Sequence, residues 1–127
     1  MSRRAINLNE EPGAQPYSDA VWNGDTLLLS GRVAIGGNGQ LIDAAVGEQT
    51  AQALANISKV LAHAGLNLAH VLKTTVFLTT MDDYAAMNAE YLQAFEHPLP
   101  ARSCVAVAAL PFGAAVEIEV LAVRRSQ

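Results

Sequence analysis

The chain has 127 residues, of which 51% are hydrophobic and 16% charged, and a net charge of -4 from 8 basic and 12 acidic side chains. Length and composition predict one globular domain and exclude disorder as the default, while the acidic balance and scattered basic residues exclude a protein that grips phosphate backbones non-specifically. A single cysteine cannot staple the fold, which points to a reducing, cytoplasmic compartment.

Residues 1–15 are polar, with Glu10, Glu11, Pro12 and Gly13, and read as an extended or loosely held arm before a single domain over residues 16–127. No apolar h-region follows Arg3-Arg4, and no apolar run approaches the roughly 18–20 residues of a membrane span. Ala20 to Trp22 and Thr26 to Arg32 flank Asn23-Gly24-Asp25 and predict a hairpin, because Asn-Gly is the strongest short turn signal. Gly36-Gly37-Asn38-Gly39 is a loop that lacks the lysine and the spacing of a phosphate-binding loop. From Val46 to Ala64 the apolar residues Leu54, Ile57, Leu61 and Ala64 recur at helical spacing, with Val60 beside them and Gly65 as the C-cap signal.

Val71 to Thr80 is β-branched and apolar, a strand. Thr80 and Asp83 resemble a capping box for a second helix over Met81 to Glu96. Its stripe is Tyr84, Met87, Tyr91 and Phe95, and Asn88 shares that face. Two closing strands, around Val105 and Ile118, are read as neighbours joined by a turn at Pro111 and Gly113. The order β-β-α-β-α-β-β predicts an α+β layer fold with both helices on one sheet face. Val105, Val107, Ile118 and Val120 alternate with small apolar residues rather than with charges. The second face therefore also needs cover, and another copy of the chain is the economical one.

Charge meets apolar strand at two places, Arg102 and the Glu117–Glu119 pair. Arg102 reads either as a surface arginine lying over its neighbours or as a guanidinium at a pocket mouth, its planar fork aimed at a carboxylate. Glu117 and Glu119 alternate with Val116, Ile118 and Val120. They line a solvent or inter-chain face, or one of them is a partly buried carboxylate that moves protons. Asn88, if buried, needs a partner. Cys104 reads as a small buried hydrophobe. His63, His70 and His97 provide neither a base for it nor metal-ligand spacing, so no metal is expected.

Pro100-Ala-Arg-Ser-Cys-Val105, Glu117-Ile-Glu119, Pro16-Tyr-Ser18, Ser30-Gly31, Asn88-Ala-Glu-Tyr91 and Val71-Leu-Lys-Thr-Thr-Val-Phe-Leu78 together resemble the RidA family of enamine/imine deaminases, also called YjgF or endoribonuclease L-PSP. The resemblance spans about Pro16 to Arg125. It implies a chorismate-mutase-like fold, a homotrimer with pockets at the subunit interfaces, and no cofactor. It implies hydrolysis of 2-imino or 2-enamino acids such as 2-aminoacrylate to 2-keto acids and ammonia. Arg102 would bind the substrate carboxylate and Glu117 would activate water, with Glu119 its structural partner. Tyr17, Ser30, Asn88 and Cys104 would line the pocket. The chain departs from the family at Gln15, Asp19, Arg32 and Phe112, in a short link from Phe95 to Arg102, and in Val33-Ala-Ile-Gly, where a proline is usual. Asp19 and Arg32 could pair with each other or reshape the pocket rim. Two rival readings are a trimer that binds small carboxylates or partners without turnover, and a ribonuclease. The acidic balance and the missing histidine pair weigh against the latter.

Overall fold

The computed structural model describes residues 3–9, 11 and 14–124. Glu10, Pro12 and Gly13 of the expected arm, and Arg125 at the end of the resemblance, lie outside the described residues. The elements are β1 (Arg4–Ile6), β2 (Ala20–Asn23), β3 (Thr26–Leu29), α1 (Val46–His63), β4 (Val71–Leu78), α2 (Tyr84–Ala94), β5 (Ala101–Ala106) and β6 (Val116–Val123). The arm therefore carries a short edge strand, β1, which pairs antiparallel with β2.

α1 buries Leu54, Ile57, Val60 and Leu61, the stripe read from the sequence. It ends in a Schellman motif. Gly65 takes φ +77°, the Leu66 amide donates to Leu61 O at 2.8 Å, and the Gly65 amide donates to Ala62 O at 3.0 Å. α2 is entered through a 3-10 turn, Met81–Asp83, in which the Thr80 hydroxyl accepts the Asp82 amide at 3.1 Å. Asp83 makes no side-chain cap bond, so the predicted box is half formed. The helix stops at Ala94 because Phe95 is already extended, two residues before the expected end. Met87, Tyr91 and Phe95 are buried, whereas Tyr84 at the head of the stripe is exposed.

The sheet order is β1-β2-β3-β6-β4-β5, with β4 and β5 parallel and every other pair antiparallel. The two closing strands are thus not neighbours, contrary to the sequence reading: β4 lies between them. A parallel β4–β5 pair needs a crossover, which α2 supplies, and the long segment around Pro111–Gly113 then carries the chain back past β4.

Register assigns the faces. Thr74, Val76 and Leu78 stand opposite Arg102, Cys104 and Ala106 on one side and Val120, Ile118 and Val116 on the other, all on the helix-covered face. Phe77 and Thr75 share the uncovered face with Val105 and Ser103, and with Glu117 and Glu119. Ile118 and Val120 are accordingly core residues, and it is Val105 and Leu28 that stand exposed on a sheet face with no helix over it. Within the covered layer the Thr74 and Tyr91 hydroxyls are 2.8 Å apart and both residues are buried. Tyr91→Phe leaves the Thr74 hydroxyl without that partner and is expected to cost about 1–3 kcal/mol in urea-denaturation stability.

Candidate active site

β5 presents Arg102 to α2. Its Nη1 donates to Asn88 Oδ1 at 2.8 Å and its Nη2 to the Tyr84 hydroxyl at 3.1 Å. The guanidinium carbon stands 4.8 Å from the Tyr91 ring centroid and 5.6 Å from that of Tyr84. Stacked and tied in this way, the fork has lost most of its rotamer freedom before any ligand arrives. Asn88, an amide on an otherwise apolar helix face, has its polar partner in Arg102. The contact of Arg102 with Tyr84 is one that sequence reasoning placed in the core stripe instead. Its signal was available, since Tyr84 precedes Asn88 by one helical turn.

Cys104 lies two residues along β5, on the same face. Burial pushes its thiol upward in pKa and the Arg102 charge offsets only part of this, so the group is a neutral thiol rather than a nucleophile.

Glu117 occupies a different environment. It is half-buried near the start of β6, on the uncovered face, against Gly31: a methyl group on Gly31 would sit 2.6 Å from Glu117 Oε2. Burial pushes its carboxyl above the usual glutamate range, and the Glu119 charge adds to the shift. Glu119 is exposed. It borders a shallow cavity of about 360 Å³ with Leu28, Lys73, Thr75 and Leu121. The two glutamates, equivalent by alternation, are thereby distinguished by depth.

Ser30 precedes Gly31 of this second cluster, whereas Tyr17 lies in the segment before β2, next to Ser18. The Ser30 hydroxyl donates to Ser18 O at 2.7 Å, and Tyr17 is 52% exposed. Asp19 and Arg32 do pair, with Arg32 Nη2 at 2.6 Å from Asp19 Oδ1. Phe112 takes a left-handed φ of 62° and is 73% exposed in the loop before β6. A larger cavity, about 700 Å³, lies between Ser58, Leu72, Phe95 and Leu99 and is lined by none of the predicted site residues.

One chain therefore brings Arg102, Asn88 and Cys104 together on the covered face and sets Glu117, with Gly31, on the other. A carboxylate-binding fork and a carboxylate of raised pKa are both present, but a single copy does not aim them at one small molecule. Among the described residues no three His, Cys, Asp or Glu side chains are grouped to hold a metal.

Comparison with known proteins finds relatives over nearly the whole chain. The family model described as Endoribonuclease L-PSP matches residues 8–124. The human 2-iminobutanoate/2-iminopropanoate deaminase is 40% identical over 124 residues, covering 96% of this chain and 90% of the human protein. Protein mmf1, mitochondrial, of Schizosaccharomyces pombe is 39% identical, over 95% of this chain and 76% of that protein. The crystal structure of Escherichia coli TdcF with bound serine superposes with a TM-score of 0.86 at 35% identity, over 96% of this chain and 99% of that one.

Proposed function

This chain belongs to the endoribonuclease L-PSP family, the RidA family of the sequence reading, and from that premise we propose that it hydrolyses 2-imino and 2-enamino acids to 2-keto acids and ammonia. The observation that carries the proposal is the pair of prepared groups: a guanidinium fixed by Asn88 and Tyr91, and a half-buried glutamate of raised pKa.

In this reading the site forms between copies in a homotrimer, with Arg102 from one subunit and Glu117 from the next. The opposite placement of the two groups across the sheet supports it, as does the uncovered face bearing Leu28 and Val105. Arg102 holds the substrate carboxylate through N–H groups that Asn88 and Tyr84 do not occupy. Glu117 takes a proton from water as the oxygen attacks C2 of the imine. It returns that proton to nitrogen to give the carbinolamine. Glu117 then carries the carbinolamine's hydroxyl proton to nitrogen as the C–N bond breaks and the C=O bond forms, so one water is consumed, ammonia leaves and a keto acid remains. A pKa above the usual carboxylate range suits a group that must both accept and release the proton. The C2 centre is already electrophilic, so positioning and one proton carrier are sufficient chemistry. Ser30, Tyr17 and Cys104 complete the lining, and Glu119 supports Glu117.

The ribonuclease implied by the family's description is less well served. An acidic chain offering one stacked arginine is better matched to a small carboxylate than to a run of phosphates. No helix among the described residues is long and apolar enough to cross a membrane. A cytoplasmic location belongs to this proposal on the strength of the single cysteine, although the S. pombe relative bears a mitochondrial name.

The test is keto-acid release from imino acids generated in situ by an amino-acid oxidase, with semicarbazide competing for the free imine. Deaminase activity means that the protein diverts imine from the trap. If the initial rate of semicarbazone formation is the same with and without protein for every amino acid tried, the deaminase reading is overturned and the carboxylate-binding reading takes its place.

A further inference from the structure

β3 does not run straight into its neighbour. Between the pairs Leu28–Leu121 and Arg32–Ile118 the β3 side advances four residues and the β6 side three. One extra residue is a bulge, a device that re-aims side chains beside functional sites. It falls at Ser30-Gly31, the segment that abuts the Glu117 carboxylate.

Contacts on both flanks hold this bulge closed. Towards β6, the Arg32 amide donates to Ile118 O at 2.8 Å and the Ile118 amide returns a bond to Arg32 O at 3.0 Å, fixing the residue next to Glu117. On the other flank the Ser30 amide donates to Asp19 O at 3.0 Å, and the Ser30 hydroxyl donates to Ser18 O. The side chains of Asp19 and Arg32 close the ring. Asp19 is only 3% exposed, and a carboxylate is seldom buried so deeply without partners. Its Oδ2 accepts the Leu8 amide and its Oδ1 the Gln15 side-chain amide, each at 2.8 Å, and its own amide donates to Asn7 Oδ1 at 2.9 Å. Burial alone would raise its pKa, but the Leu8, Gln15 and Arg32 contacts outweigh burial and hold the carboxyl below its usual range. Among the described residues neither Arg32 Nε nor Nη2 has a hydrogen-bond partner, so the pair is held by charge and Asp19 is the charge that Arg32 depends on.

We propose that Asp19 and Arg32 are positioning residues, whose buried ion pair locks the Ser30-Gly31 bulge against Glu117 and so sets the direction from which that carboxylate meets the reacting water. The proposal rests on the reading of Glu117 as the water-activating group. Removing one partner leaves a half-buried charge uncompensated and opens the bulge, whereas removing both charges does not.

The test uses the assembled protein. Asp19→Asn keeps the shape and removes the charge. It is expected to lower kcat by roughly ten- to a hundredfold, with KM, governed by Arg102, changed by less than about twofold. The double variant Asp19→Asn/Arg32→Gln is expected to recover most of kcat. The second readout needs no turnover: the Glu117 carboxyl is titrated by carbon-13 NMR in each protein. Because burial raises the Glu117 pKa, an opened bulge admits water and brings its titration down towards the ordinary range, and the double variant brings it back.

If Asp19→Asn melts earlier but keeps wild-type kcat and the wild-type Glu117 titration, the pair is only structural and the proposal is overturned. If the wild type hydrolyses no imine yet Asp19→Asn still moves the Glu117 titration, the deaminase reading fails and the clamp stands. Should Asp19→Asn not fold, Arg32→Lys, which keeps the charge but loses the planar fork, is read by the same two measurements.

Discussion

Glu117→Gln is expected to lower kcat by about 10²- to 10⁴-fold, the range typical for loss of a positioned acid/base group, with little change in KM. The amide fills the same space against Gly31 but can neither take a proton from water nor return one to nitrogen. The same variant should gain stability at neutral pH. Burial and the Glu119 charge raise the Glu117 pKa in the folded state above its unfolded value, so the fold favours the protonated form. Glu117 therefore penalises the native state once pH rises through its folded pKa, and carries no such penalty below the unfolded one. Melting temperatures of wild type and Glu117→Gln should converge in acid and separate towards pH 7, with the variant higher. Wild-type kcat should rise with pH through a point above the ordinary glutamate range, and Glu117→Gln should lose that limb.

Arg102→Ala is expected to show the complementary pattern: a loss in kcat/KM of roughly a hundredfold to ten-thousandfold, dominated by KM. Two charge-assisted bonds to a carboxylate account for that range at about 1.5–3 kcal/mol each. Arg102→Lys should recover little. A lysine keeps the charge but cannot hold Asn88 Oδ1 and Tyr84 while offering a second pair of donors, and it lacks the flat face that lies over Tyr91. The loss should shrink for imines that lack a carboxylate, because the missing interaction then has no counterpart. A steady-state series of substrates with and without the carboxylate checks this directly.

Much of the fold was legible because its elements are locally self-consistent. The Leu54, Ile57, Leu61 stripe and Gly65 located α1 to within one residue of its end, and Gly24 between two apolar runs located the β2–β3 hairpin. Sheet order was not legible. Alternation along Val116–Val123 states which residues share a face, but not that β6 pairs with β3 and β4 rather than with β5, its neighbour in sequence. The bulge at Ser30-Gly31 was hidden for the same reason, since it exists only relative to β6. At the site, Arg102 and Asn88 were both singled out from the residues, yet their 2.8 Å contact depends on the crossover that lays α2 over β5. The separation of Arg102 from Glu117 by the sheet follows from the β4 register, in which Thr74 faces one way and Phe77 the other.

The central claim is that Arg102 of one copy and Glu117 of another form a single site, and subunit complementation tests it most directly. Arg102→Ala and Glu117→Ala proteins, each inactive alone, are unfolded together, refolded as a mixture and checked for hybrid assemblies by native mass spectrometry. Random trimers with one site per interface should regain about a quarter of wild-type activity, because about a quarter of interfaces pair an intact arginine with an intact glutamate. Hybrids that form and remain as inactive as their parents would contradict the shared site.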